Sequence, residues 1–220
     1  MSDDASGLML LVTAVWLVGV GVAFYVTRVG ALRRLDASLV GTSIRETLTF
    51  AYCVALPVVL VMAGVISRDR LGLPTLETPD AALDLVRGMG WGVAATGAAL
   101  ISLWLGVSPL GARLPAATWT AVRDAGYLEP LWMLLRTAPA ALLNDDGIGA
   151  LIGMAGGIVL FAALGRFERP RTEARLGQLA VDLATTLVSA LLFLATHNLL
   201  IMIFAHAALR VAAGLRRPTL

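Results

Sequence analysis

The sequence predicts an all-α, polytopic transmembrane bundle of about seven spans, and three observations carry that reading. Mean hydropathy is +0.83 and 58% of residues are hydrophobic, which excludes an ordinary soluble domain. Apolar runs recur along the chain, each near the roughly 20 residues a helix needs to cross a hydrocarbon core. Acidic and basic residues are mostly confined to the segments between those runs. The whole of 1–220 is therefore read as a single transmembrane domain, with the lipid bilayer as its first partner.

The net charge of +2 comes entirely from arginine, because the chain has no lysine. On this background arginines read as topology signals and headgroup anchors, so no nucleic-acid partner is expected. Abundant Ala, Gly, Leu, Val and Arg without Lys points to a GC-rich bacterial genome, hence a bacterial inner (cytoplasmic) membrane. The single Cys53 has no internal partner for a disulfide. Met1-Ser-Asp3-Asp4 is acidic where a signal peptide would be basic, so the first apolar run reads as a retained membrane helix.

That first span covers about residues 7–27, with Trp16 and Tyr25 offering interfacial or packing contacts. The second, about 47–67, contains Pro57, tolerated where neighbours or water satisfy the freed carbonyl. The third, about 88–107, carries Gly88, Gly92 and Thr96, small enough for close helix approach. Residues 110–127 turn amphipathic and read as an interfacial segment.

The fourth span, about 128–143, carries Glu129 and Arg136, which share one face two turns apart. In this register Glu129 is a hydrated first-turn acid, favourable at a helix N-terminus. Asn144-Asp145-Asp146-Gly147 is a turn by composition. The fifth span, about 148–165, repeats glycine at 149, 153 and 157, a ridge for tight packing. The stretch from Leu176 to Ala213 is too long for one span at about 1.5 Å per residue, so a tight turn at His197-Asn198 divides it into spans 176–196 and 199–213. With the acidic N-terminus outside, the loops at 28–46, 108–127 and 166–175 and the tail Arg216-Arg217 fall in the cytoplasm and hold most of the arginines, which predicts N-out, C-in.

Ionisable residues inside apolar runs cost several kcal/mol unless paired or wetted, and so mark a polar site. His206, Arg210, Asp182 and Asn198 form the expected structural polar network, with Asp182 pairing with Arg210 or Arg136. His206 near the middle of the last span is alternatively a metal, haem or pigment ligand or a proton-handling group; His197 belongs to the turn. The cofactor is left open. No Gly-x-Ser-x-Gly, phosphate-binding glycine loop, His-Glu-x-x-His or zinc-type cysteine pair is present. Two histidines alone cannot complete a three-ligand metal site.

Thr196-x-Asn198-Leu199 followed by Ala205-His206-Ala207-x-x-Arg210 resembles the last motif of the CPBP family, the CAAX-protease and bacteriocin-processing (Abi) membrane proteins. That motif is His-x-x-x-Asn or Asp after a Thr-Gly-Ser/Asn-Leu turn; here Arg210 takes the Asn position. The family's Glu-Glu-x-x-x-Arg motif is met by Glu129-Pro-Leu-Trp-Met-Leu-Leu-Arg136, with one glutamate and a wider spacing. For its Phe-x-x-x-His the fifth span has Phe161 but Gly165 where the histidine is required, while Phe193-Leu-Ala-Thr-His197 matches as a string but out of order. The resemblance covers about residues 110–215. It implies a CPBP-like fold with incomplete catalytic motifs, serving as an accessory, assembly or scaffold subunit among other membrane protein subunits. An active intramembrane protease would instead use Glu129 as base, His206 as ligand or oxyanion partner and Arg136 as orienting group.

Overall fold

The computed structural model describes residues 3–28, 39–73, 79–107, 119–163 and 173–215, which form seven helices and no strand among them. These are α1 (Asp3–Arg28), α2 (39–62), α3 (Pro79–Val107), α4 (Trp119–Leu143), α5 (Asp146–Ala163), α6 (Glu173–Thr196) and α7 (Leu199–Leu215). Four stretches are long and apolar enough to cross a membrane: Ser43–Met62, Ala82–Gly106, Asp146–Ala163 and Gly177–Thr196. Gly7–Val22 and Leu199–Ala213 are shorter apolar helices. Residues 29–38, 164–172 and 216–220, which carry many of the arginines behind the expected orientation, lie outside the described residues, as does Gly165.

Three boundaries differ from expectation. Helix α2 starts at Leu39 and stops at Met62, not near residue 67. Val65 and Ile66 continue the apolar run, but Gly64 adopts a left-handed φ of 72°. The Val65 and Ile66 amides then turn back onto the Leu60 carbonyl, a glycine-terminated helix end. Helix α3 starts at Pro79, one or more turns before the apolar run, which suits proline's preference for a first turn. Helix α4 starts at Trp119, so residues 119–127 of the expected interfacial segment are part of this helix. The remainder of that segment, 110–118, lies outside the described residues.

Pro57 explains a local feature of α2. A proline ring clashes with the carbonyl four residues earlier, here that of Cys53, and offers no amide to it. The helix widens there into a π turn, Ala51–Ala55, in which the Leu56 amide reaches the Ala51 carbonyl.

The chain divides into two compact units, Met1–Ser67 with Pro130–Glu168, and Arg68–Glu129 with Arg169–Leu220. The division falls inside α4, between Glu129 and Pro130, where the proline again withholds a backbone hydrogen bond.

In the first unit α1 packs on α5, and Trp16 donates its indole N–H to the Gly156 carbonyl at 3.2 Å. Tyr52 donates its hydroxyl to the Val15 carbonyl at 2.7 Å, and bare Gly19 leaves room for its ring. The α5 glycine ridge packs as expected against the second half of α4. A Cβ on Gly149 would lie 2.5 Å from Ala140 Cβ and 2.6 Å from the Arg136 carbonyl, and one on Gly153 would strike the Arg136 side chain. Between the two helices, Asn144 takes a left-handed φ of 53° and Asp145 accepts the Ile148 amide at 3.0 Å, so the predicted turn also caps α5.

In the second unit α3, α6 and α7 pack on one another. Gly88 and Gly92 of α3 lie against the Ile201 side chain of α7, whose end would have to shift to admit a side chain at Gly88. The predicted break between α6 and α7 is present: His197 takes a left-handed φ of 46° and its ring lies 4.6 Å from that of Phe193. The Leu199 amide, at the start of α7, donates to the Gly72 carbonyl at 2.8 Å.

Candidate functional site

A group of polar side chains from three helices meets in the second unit. Helix α6 contributes one stripe, Gln178, Asp182, Thr185 with Thr186, and Ser189, at the three-and-four spacing that keeps residues on one face. Helix α7 contributes His206 and Arg210, one turn apart. Helix α4 contributes Asp124 and Glu129 from its first half. Glu129, Asp182 and His206 are 0%, 0% and 1% exposed, and Arg210 is 7% exposed. At such depth each polar atom needs a partner inside the protein.

The partners form a continuous chain. Ser189 donates its hydroxyl to Glu129 Oε2 at 2.5 Å. The other glutamate oxygen, Oε1, lies 2.7 Å from His206 Nδ1. Arg210 donates Nε–H to His206 Nε2 at 2.9 Å and Nη2–H to Asp182 Oδ1 at 2.7 Å. Gln178 donates to the same Asp182 oxygen at 2.7 Å. Arg210 Nη1 also lies 3.7 Å from Asp124 Oδ2. Asp124 is 30% exposed at its side chain and is held by Arg123 at 2.9 Å. Thr185 and Thr186 stay outside the chain, because both hydroxyls return to the Asp182 carbonyl one turn back.

Of the expected network residues, Asp182, His206 and Arg210 come together, and of Asp182's two expected partners Arg210 is the one it contacts. Asn198 does something else. Its side-chain oxygen accepts the Leu200 and Ile201 amides at 3.0 and 3.3 Å, which makes it the N-cap of α7.

Glu129 is not a hydrated first-turn acid. Because α4 begins ten residues earlier, at Trp119, Glu129 lies in the helix interior and pairs with His206. Of the three residues named for a protease, Glu129 and His206 touch. Arg136 has its described contacts in the first unit, where it is 0% exposed with its guanidinium 5.6 Å from the Trp132 ring centroid.

Ser189, Gln178 and Asp124 were not singled out from the sequence. Their signal was the polar stripe on α6, and the position of Asp124 five residues before Glu129 on the same helix once α4 is given its true start.

The chemistry open to this arrangement follows from its occupancy. Both oxygens of Glu129 and both ring nitrogens of His206 are engaged by protein groups. A metal, haem iron or pigment magnesium needs a ring-nitrogen lone pair, and the His206 Nε2 lone pair already accepts from Arg210. Among the described residues no three of His, Cys, Asp and Glu gather as a metal site. What the arrangement does well is hold α4, α6 and α7 in one register through directed hydrogen bonds. Compared with known proteins, the chain matches no family model, no curated protein and no solved structure.

Proposed function

We propose that this chain is a CPBP-like, non-catalytic membrane protein that serves as an accessory, assembly or scaffold subunit of a bacterial membrane complex. The observation that carries the reading is the closure of the polar network. Glu129 and His206 are both 0% exposed at the side chain, and every oxygen of one and nitrogen of the other faces a protein partner. A general base must reach a water or substrate proton within hydrogen-bond distance, and a catalytic metal keeps an open coordination position. A closed clasp offers neither. Arg210, standing where the CPBP motif has Asn or Asp, is the residue that closes it on one side.

The proposal includes seven membrane passes in the cytoplasmic membrane, with the N-terminus outside and the C-terminus inside. It is supported by the distribution of arginines along the sequence and by the seven helices. In such a subunit the outward apolar residues face lipid or partner helices, and the polar clasp keeps the presenting surface in register.

The test compares the wild type with His206→Ala, purified in mild detergent, for thermal stability, co-purifying membrane subunits and cleavage of a prenylated CAAX peptide. The expected result is lower stability and lower recovery of the complex in the variant, with no peptide cleavage by either protein. An isolated monomer that cleaves the peptide, and loses cleavage in Glu129→Gln, would overturn the proposal.

A second reading, an intramembrane hydrolase, is favoured by one contact, the 2.7 Å approach of Glu129 Oε1 to His206 Nδ1. A carboxylate beside an imidazole is the minimum such chemistry requires. It would need the clasp to open when substrate enters, and the peptide assay above decides between the two. The haem or pigment reading requires release of Arg210 from His206, and a visible absorption band in the purified protein that is lost in His206→Ala would restore it.

A further inference from the structure

We propose that Arg210 is a positioning residue that sets the tautomer of His206 and so fixes which way hydrogen bonds run through the buried network. The inference stands on the network's geometry and does not depend on the accessory-subunit reading.

The argument is a count of hydrogens. An arginine Nε always carries a hydrogen and has no lone pair to offer. At 2.9 Å from His206 Nε2 it is a donor, so Nε2 must be the acceptor and carries no hydrogen. A neutral imidazole keeps one N–H, which is then on Nδ1. That hydrogen points at Glu129 Oε1, 2.7 Å away. Glu129 therefore accepts from His206 on one oxygen and from Ser189 on the other. Donation runs in one direction from Arg210 through His206 and ends on Glu129.

Arg210 is itself held in place for this task. Asp182 takes Nη2–H at 2.7 Å, with Gln178 anchored on the same carboxylate oxygen, and Asp124 faces Nη1 at 3.7 Å. The guanidinium is planar, so fixing its two terminal nitrogens also fixes the direction of Nε–H. Lysine could supply the charge but not the planar fork. An asparagine could present Nε2 with either an acceptor or a donor and would leave Glu129 alone to hold the hydrogen on Nδ1.

Among the described residues, the charged groups facing His206 include Glu129 from α4 and Arg210 from its own helix, with Asp182 and Ser189 one step removed on α6. Because the ring's lone pair is engaged by Arg210, the same residue also withholds His206 from acting as a ligand or base.

Nitrogen-15 NMR of the full-length protein, labelled at histidine and held in lipid nanodiscs, reads the tautomer directly. Exposed His197, in the turn between α6 and α7, gives the second histidine signal for comparison. The wild type is expected to give a His206 signal pair of the pure Nδ1–H form. Because Glu129 also calls for a hydrogen on Nδ1, the variants separate the two: Glu129→Gln, which can offer Nδ1 a donor or an acceptor, is expected to keep the pure Nδ1–H form through Arg210 alone, and Glu129→Gln with Arg210→Met is expected to lose it and gain the Nε2–H form. A wild-type His206 that is Nε2–H or doubly protonated overturns the proposal without any variant. So does a Glu129→Gln protein, with Arg210 intact, whose His206 gains the Nε2–H form.

Discussion

Helix α4 carries two buried ionisable residues, Glu129 and Arg136, seven positions apart, and the two compact units bury them by different means. Glu129 is enclosed by polar chemistry: a serine, a histidine and, behind it, an arginine and an aspartate. Around Arg136 the contacts are those of packing against an aromatic ring and a glycine. Its guanidinium faces Trp132, whose ring in turn meets Phe161 edge-on at 5.8 Å, and its stem lies on the bare backbone of Gly153. The difference is one of what a neighbour must supply. A carboxylate in the bundle needs donors with defined directions, whereas an arginine also gains from packing of its long stem and from an aromatic ring against one face of its planar head.

The contrast predicts where each unit is most fragile. In the polar unit the largest effect should come from Asp182→Ala. The pair Asp182–Arg210 has side chains 1% and 8% exposed, so removing the carboxylate leaves a buried cation with the longer 3.7 Å approach to Asp124 to offset it. Breaking such a pair costs about 3–5 kcal/mol, much of it from the charge left behind. The expected outcome is a large drop in the thermal midpoint of the purified protein, with a smaller drop for the isosteric Asp182→Asn. Equal stability of Asp182→Ala and wild type would mean that the clasp contributes nothing to this unit.

How much of this was legible in the sequence depends on the residue type. Asp182, His206, Arg210 and Glu129 were conspicuous because charge inside an apolar run needs a reason. Ser189 was not, because hydroxyls in apolar helices usually bond their own backbone, as Thr185 and Thr186 do here. The number of helices could be read from hydropathy, and the break at His197-Asn198 from length alone. The ends of the helices were harder to read. Gly64 stops α2 inside an apolar run, while α4 extends back through Arg123 and Asp124, whose mutual pairing makes a polar first half compatible with helix. Misplacing that start by about three turns is what turned a buried partner of His206 into an expected surface acid.

In the first unit, the sensitive substitution adds atoms and removes none. Gly149→Ala would place its Cβ 2.5 Å from Ala140 Cβ and 2.6 Å from the Arg136 backbone carbonyl, and backbone cannot swing aside. Overpacking of this kind costs about 1–3 kcal/mol. The same substitution at Gly90 of α3 meets nothing within 4 Å and is the matched control. A midpoint lowered by Gly149→Ala and unchanged by Gly90→Ala in the same detergent is expected. Equal effects would show that the α5 ridge is not in contact with α4.

The smallest effect separates a single neutral hydrogen bond from the charged chain. Tyr52→Phe removes only the donation to the Val15 carbonyl at 2.7 Å and keeps the ring that fills the space left by Gly19. Interhelical hydrogen bonds of this type in membranes average about 0.6 kcal/mol, because the unfolded helices find other partners. The expected shift is therefore near the limit of a thermal melt and several-fold below that of Asp182→Ala. If Tyr52→Phe proved as damaging as Asp182→Ala, the distinction between the units would fail. The first unit would then depend, like the second, on a directed polar contact, and the hydroxyl of Tyr52 would hold α1 against the π turn of α2 more firmly than the packing around it.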